Sequence, residues 1–209
     1  ANAIAKRAFL QHLDDVVSKM PEEDRVVLVT SGGVAAGKGH ALANAAGTSE
    51  LAGKVGAIWD AAGEQNATEN PWVLEECKKR GIKAVFAYVH ASPTDTWENP
   101  DKGVVERAEK KGRMVDARLF ADSYALGARN FKQFHDKYKD EADFIFLDNR
   151  DKPKQVDSMP EEALGLDSDE IYARAAGVLK ERADRLRPAV VRGGSIGERI
   201  WGKPAASAG

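Results

Sequence analysis

Residues 32–38 read Gly-Gly-Val-Ala-Ala-Gly-Lys, which fits the spacing GxxxxGK. Holding a phosphate this way needs backbone N–H groups that point inward, and side chains at the glycine positions would obstruct them. A helix opening at the lysine adds favourable partial charge, and a lysine there neutralises the outer phosphates. Gly32, Gly33, Val34, Ala35, Ala36, Gly37, Lys38, Gly39 and His40 are therefore the candidate phosphate-binding residues. The pattern wants Ser or Thr after the lysine, and this chain has Gly39. The missing hydroxyl normally holds Mg²⁺. That ion keeps several waters and takes much of its ligation from substrate phosphates, so a weakened metal site is expected rather than none.

Asp60, in AIWDAAGEQ, ends an apolar run and is the candidate catalytic and metal-binding carboxylate. It can bind a metal or accept a proton from a substrate hydroxyl; the competing role is a turn-capping aspartate. Glu64, Gln65 and Asn66 follow in a polar stretch read as a substrate-contacting loop. Arg107 and Arg113, in GVVERAEKKGRMVD, lie six apart, and such a pair can clamp phosphates as charge develops in phosphoryl transfer. Taken alone, the same charge run reads as a solvated helix face, and Arg118 is a weaker candidate. His12, His40, His90 and His135 are scattered without metal-ligand spacing. Trp59 and Trp72 read as packing residues. Asp148 and Asn149 read as a turn, with a role beside a nucleotide base as the alternative.

These residues need elements to hold them. VVLVT (26–30) is a short buried strand, followed by an Ala-rich helix over 37–46. VGAIW (55–59), IKAVFAYV (82–89) and DFIFLD (143–148) are three further strands. Asn70 and Pro71 read as the N-cap and first residue of a helix running through Arg80 and stopping at Gly81. Helices are also expected over 3–20, 103–111, 116–139 and 168–186, with a polar loop over 93–102. No internal repeat and no clear interdomain linker is visible. Strands alternating with helices imply an α/β fold, a mostly parallel sheet flanked by helices. In such a sheet ligands bind beyond the carboxyl ends of the strands, which is where the glycine loop, Asp60, His90 and Asp148 fall.

Composition narrows the function classes. The chain has 209 residues, 43% hydrophobic and 31% charged, with a net charge of −2, so no basic footprint argues for a nucleic-acid polymer as partner. The only cysteine, Cys77, excludes an internal disulfide framework and a cysteine-rich zinc site. No apolar run reaches membrane-spanning length, and the charged, amphipathic start is unlike a signal peptide. A cytoplasmic place of action is the default expectation. Ala1, in place of an initiator Met, fits a processed protein or a fragment of a longer one.

Taken in order, these residues resemble the zeta-toxin group of P-loop kinases. The resemblance runs from VVLVTSGGVAAGKG through AIWDAAGEQ, NPWVLEECKKRG, IKAVFAYVHASP, GVVERAEKKGR and DARLFADSYALGARNF to DFIFLDNR, about residues 25–150. It implies a P-loop kinase core, taken here as 25–187; the apolar spacing before it reads as an N-terminal helix over 1–24, and the Gly-, Pro- and Ala-rich end as a flexible tail over 188–209. It implies ATP or GTP with Mg²⁺, and a small hydroxyl-bearing acceptor such as a UDP-N-acetylsugar or a dinucleotide. Lys38 matches the loop lysine, Asp60 the acidic residue after a core strand, and Arg107 and Arg113 the lid arginines. An antitoxin or immunity protein becomes a candidate partner. There are two departures. Gly39 replaces the hydroxyl residue, and the family's extra strand between loop and Asp60, with its catalytic aspartate, has no counterpart; GTSELAGKV offers only Glu50. The alternatives are a nucleotide-binding pseudokinase, as a regulatory or structural module of a larger protein, and another P-loop phosphotransferase for nucleosides or antibiotics.

Overall fold

The computed structural model describes residues 3–45, 48, 51, 53–61, 63–112 and 114–186, without the side chain of Glu64. Glu50, Arg113 and the expected tail over 188–209 lie outside the described residues. The chain divides into two compact units. The first comprises Ala1–Ala91 and Asp122–Leu166; the second comprises Ser92–Ala121 and the chain from Asp167 onward.

The first unit is built on a five-stranded sheet, β1 Val26–Gly32, β2 Val55–Asp60, β3 Lys83–His90, β4 Asp143–Asp148 and β5 Lys154–Val156, in the order β2-β1-β3-β4-β5. The first four strands run parallel and β5 is antiparallel to β4. β1 is buried along its whole length, as its β-branched run requires of a central strand. Side chains alternate across the pleat. Val27, Val29, Ala57, Trp59, Phe86 and Tyr88 face one core, which they share chiefly with α1 (Ala3–Lys19), α3 (Asn66–Lys78) and α6 (Ala117–Tyr138), and with Ala163 further along the chain. Phe9 packs on Trp59 with ring centroids 4.7 Å apart, so α1 belongs to this core. Burying such a side chain contributes about 1.5–3 kcal/mol. Val26, Leu28, Val85, Ala87, Val89 and Leu147 face the other side, where Ala41, Leu42 and Ala45 pack, carried by α2 (Lys38–Asn44) and the residue after it.

The second unit holds α4 (Pro93–Glu98), α5 (Val104–Lys111), the first residues of α6 and α8 (Ser168–Glu181). Trp97 is buried against Phe120, with centroids 4.6 Å apart. α5 buries Val104, Val105 and Ala108, one stripe of a helix, and leaves Arg107 on the exposed side. Asp167 caps α8 by accepting the Asp169 and Glu170 N–H groups.

Several boundaries differ from the sequence expectation. α3 opens at Asn66, a turn before Asn70, so Pro71 lies inside it. The missing Pro71 N–H leaves the Ala67 carbonyl without its helical donor, and Ala67 is exposed to water. Residues 93–98, expected as loop, are helical: the Ser92 side chain accepts the Asp95 N–H, Pro93 stands at the first helical position, and Trp97 supplies the buried anchor. β5 and the four-residue α7 (Glu161–Leu164) were not expected at all. Between α2 and β2 the described residues make only tight turns (Thr48 N–H to Ala45 O, Leu51 N–H to Thr48 O, Lys54 N–H to Leu51 O), with no strand among them. Among the described residues no helix is long and apolar enough to cross a membrane.

Candidate functional site

β1 delivers the glycine loop at the carboxyl edge of the sheet, between β2 and β3. Here the chain passes from one neighbouring strand to the other, the position where open α/β sheets leave a crevice. Gly32 pairs in register with Val89 and has φ +137°; a Cβ there would stand 2.4 Å from the Val89 carbonyl oxygen. A Cβ on Gly33 would enter the Tyr124 ring at 2.3 Å. Gly37 turns the chain into α2 with φ +74°. Between them Ala35 adopts φ +63°, a conformation that residues with a Cβ rarely take.

The loop is tied on both sides. The Val34 N–H donates to Ser123 Oγ at 2.9 Å, and the Asn149 side-chain amide donates to the Ala36 carbonyl at 2.8 Å. Inside the loop the Ala36 N–H bonds the Gly33 carbonyl at 3.1 Å. The first intrahelical bond of α2 runs from the Ala41 N–H to the Gly37 carbonyl, leaving the Lys38, Gly39 and His40 N–H groups without intrahelical acceptors.

Lys38 and Asp60 meet at this edge. Thr30 and Asp60 are registered partners on β1 and β2, and the Thr30 hydroxyl donates to Asp60 Oδ1 at 2.7 Å. The Lys38 ammonium lies 3.4 Å from the same oxygen. The Lys38 side chain is 12% exposed and that of Asp60 64%, so the lysine stem is packed while the carboxylate opens to solvent. Nothing lies within 4 Å of where a Cβ on Gly39 would stand. His40 is exposed, with its ring beside the Asn44 amide at 3.2 Å.

The other expected residues are placed differently. Gln65 is exposed and closes a 3-10 turn over Gly63–Gln65, to which the Glu64 backbone also belongs. Asn66 is fully buried: it accepts from Ser31 Oγ at 3.2 Å and donates to the Gly127 carbonyl at 3.4 Å. Its amide fastens α3 to β1 and α6, so Asn66 is wall rather than a loop residue open to substrate. Arg107 belongs to the second unit, on the exposed face of α5.

Beside the loop's Asn149 tie lies a buried polar group at the ends of β3 and β4. His90 and Asp148 are registered partners, and both are buried. Arg150 donates to Asp148 from its backbone N–H and from Nε and Nη2, at 3.1, 3.0 and 2.9 Å. These bonds hold the Asp148 carboxyl below the usual carboxylate range. Burial, helped by the Arg150 charge, pushes the His90 imidazole down, and its Nδ1 has no hydrogen-bond partner among the described residues. Burial likewise pushes the Cys77 thiol up to about 12, which removes it as a nucleophile at neutral pH.

Sequence reasoning missed Thr30 and Ser123, and read Asn149 as a turn residue or as a neighbour of a nucleotide base, not as a tie to the loop. A threonine late in a buried strand beside a strand-end aspartate was a usable signal for Thr30. Nothing local marks Ser123, whose role comes from the approach of α6 to the loop. Among the described residues no group of three His, Cys, Asp or Glu side chains is gathered to hold a metal ion. The arrangement therefore offers a tied glycine loop leading into a helix whose first N–H groups have no intrahelical acceptor, one packed lysine and one open carboxylate. No family model matches the chain, and no curated protein matches it.

Proposed function

We propose that residues 32–40 hold the phosphates of a nucleoside triphosphate, and that the protein is a small-molecule kinase resembling the zeta-toxin group. Its acceptor is a hydroxyl-bearing metabolite of the UDP-N-acetylsugar or dinucleotide kind. The observation that carries this reading is the steric requirement for glycine at 32, 33 and 37, followed at once by Lys38 facing Asp60. Side chains at those positions would push the loop off Val89, Tyr124 and Asn149, so only glycine keeps this tight turn into α2, and the lysine supplies the charge that an outer phosphate needs.

In this reading the loop N–H groups and Lys38 bind the donor's phosphates. Asp60, steadied by the Thr30 hydroxyl, orients the acceptor hydroxyl and takes its proton. The acceptor oxygen forms a bond to the γ-phosphorus as the bridging bond to the β-phosphate breaks, and the nucleoside diphosphate leaves. Asp60 and the open space at Gly39 fit Mg²⁺ held mostly by phosphate oxygens and water, and the ion when bound neutralises developing charge. Arg107 and Arg113 would serve as the lid arginines that the resemblance implies.

A nucleotide-binding pseudokinase is the second reading. Gly39 favours it, as does the engagement of Asp60 Oδ1 by both Thr30 and Lys38. Calorimetry with ATP, with and without Mg²⁺, tests the shared premise: Lys38→Ala should remove most binding and leave the melting temperature within a few degrees of wild type. Equal affinities would reject the phosphate-loop reading. Binding without phosphoryl transfer to UDP-N-acetylsugars, dinucleotides, nucleosides or aminoglycosides would select the pseudokinase.

A further inference from the structure

We infer that Asn149 is a positioning residue of this site: its side-chain amide holds the Ala36 carbonyl and so turns the Gly37 N–H toward the bound phosphate. The inference rests on the phosphate-binding reading above and adds a residue that neither the loop motif nor the resemblance assigns.

Asn149 is the first residue beyond β4, and its own N–H donates to the His90 carbonyl at 2.8 Å, which anchors its backbone to the end of β3. From that fixed base its Nδ2 reaches the Ala36 carbonyl at 2.8 Å. The acceptor is a carbonyl, so the amide must present its NH₂ and not its oxygen, which settles the orientation of the side chain. The Ala36–Gly37 peptide is planar and trans, so its C=O and N–H point in opposite directions. Fixing the carbonyl on Asn149 therefore sends the Gly37 N–H to the opposite side, away from Asn149.

Two further observations fit a tie of this kind. A Cβ on Gly37 would stand 2.8 Å from Asn149 Nδ2, so the amide occupies the room that a side chain at 37 would need. Ala35, directly between the Ser123 tie at Val34 and the Asn149 tie at Ala36, is the one non-glycine residue with positive φ among the described residues. An unfavourable conformation persists where its surroundings over-determine it, and these two bonds do so from opposite ends.

The test is calorimetry with ATP and with inorganic pyrophosphate on wild type, Lys38→Ala and Asn149→Ala, with the melting temperature of each. Asn149→Ala keeps the backbone bond to His90 and removes only the side-chain donor. The expected result is a loss of about tenfold in affinity for both ligands, the scale of one neutral hydrogen bond, with the melting temperature nearly unchanged. Equal loss for both ligands places the defect at the phosphates, whereas a merely structural turn residue would lower the melting temperature and leave affinity in the folded protein intact. Wild-type affinity in Asn149→Ala, with Lys38→Ala inactive in binding, overturns the inference and leaves the phosphate reading standing. Failure of wild type itself to bind either ligand overturns both. Should Asn149→Ala not fold, Asn149→Ser keeps a polar turn residue whose hydroxyl is too short to reach Ala36, and the same affinities decide.

Discussion

Gly32→Ala isolates the steric premise of the site from its chemistry. The new Cβ would stand 2.4 Å from the Val89 carbonyl oxygen, about 1 Å inside van der Waals contact, and the oxygen belongs to backbone that cannot rotate away. Relief requires the carboxyl ends of β1 and β3 to part at the Gly32–Val89 pair. Placing a side chain at φ +137° costs about 1–3 kcal/mol, and forcing packed neighbours apart about 1–3 kcal/mol more. The sum is roughly 2–6 kcal/mol, a large fraction of an ordinary domain's stability of about 5–15 kcal/mol. At about 2–4 °C per kcal/mol for a chain of this size, a central loss of about 4 kcal/mol lowers the melting temperature by roughly 8–16 °C. Gly39→Ala is the matched control: its Cβ meets nothing within 4 Å, and replacing glycine inside α2 should add about 0.5–1 kcal/mol. Thermal unfolding followed by circular dichroism reads both. A Gly32→Ala protein melting within about 2 °C of wild type would refute the close approach of the loop to β3.

Asp60→Asn should leave the fold intact, since the side chain is largely exposed, and should abolish most phosphoryl transfer; single-turnover rates beside Mg²⁺ affinity separate a proton acceptor from a metal ligand. Arg107→Ala should lower turnover more than ATP affinity, by roughly 2–4 kcal/mol in the barrier if the arginine meets charge in the transition state; an unchanged single-turnover rate removes it from the lid. The His90 imidazole, facing Asp148, Arg150 and Glu162, is pushed below its usual value of 6.5 by burial, so the unfolded chain takes up its proton first as the pH falls. Its stabilising contribution is complete above about pH 6.5 and is lost as the pH falls toward the folded value. Urea unfolding from pH 7.5 to 5 should therefore show a decline that His90→Gln flattens, and an equal slope in both proteins would remove His90 as its source.

The sheet was legible because its strands carry their own signal. VVLVT and DFIFLD are short runs of β-branched and aromatic residues, and a glycine turn or a charged residue ends each at its proper place. What escaped is decided by contacts made across the chain. Asn66 looked like a loop residue beside Gln65, yet its amide closes on Ser31 and Gly127, residues 35 and 61 positions away. The three residues of β5 are too few for a period to show, and they form a strand because β4 offers them an edge. Residues 93–98 were hidden by Pro93 and by polar composition, although Ser92, Pro93 and Asp95 together are the signature of a capped helix start.

The glycines of the loop looked alike in sequence and differ in what they do. Gly32, Gly33 and Gly37 answer to neighbours from β3, α6 and the residue after β4, and each neighbour is remote in the chain. Their requirement is steric, so it holds whether or not the site catalyses anything. Gly39 meets no such demand: a serine side chain would fit there. Its lack of a hydroxyl is therefore a chemical property of this site and not a by-product of crowding. On the phosphate-binding reading, the open position at Gly39 and the engagement of Asp60 by Thr30 and Lys38 predict binding that depends less on the metal than in a loop ending in Lys-Ser. In the proposed reading the loop glycines and Asn149 build the phosphate grip; whether Asp60 then draws a proton across it is a separate chemical question, which is why binding and turnover have to be measured on the same variants.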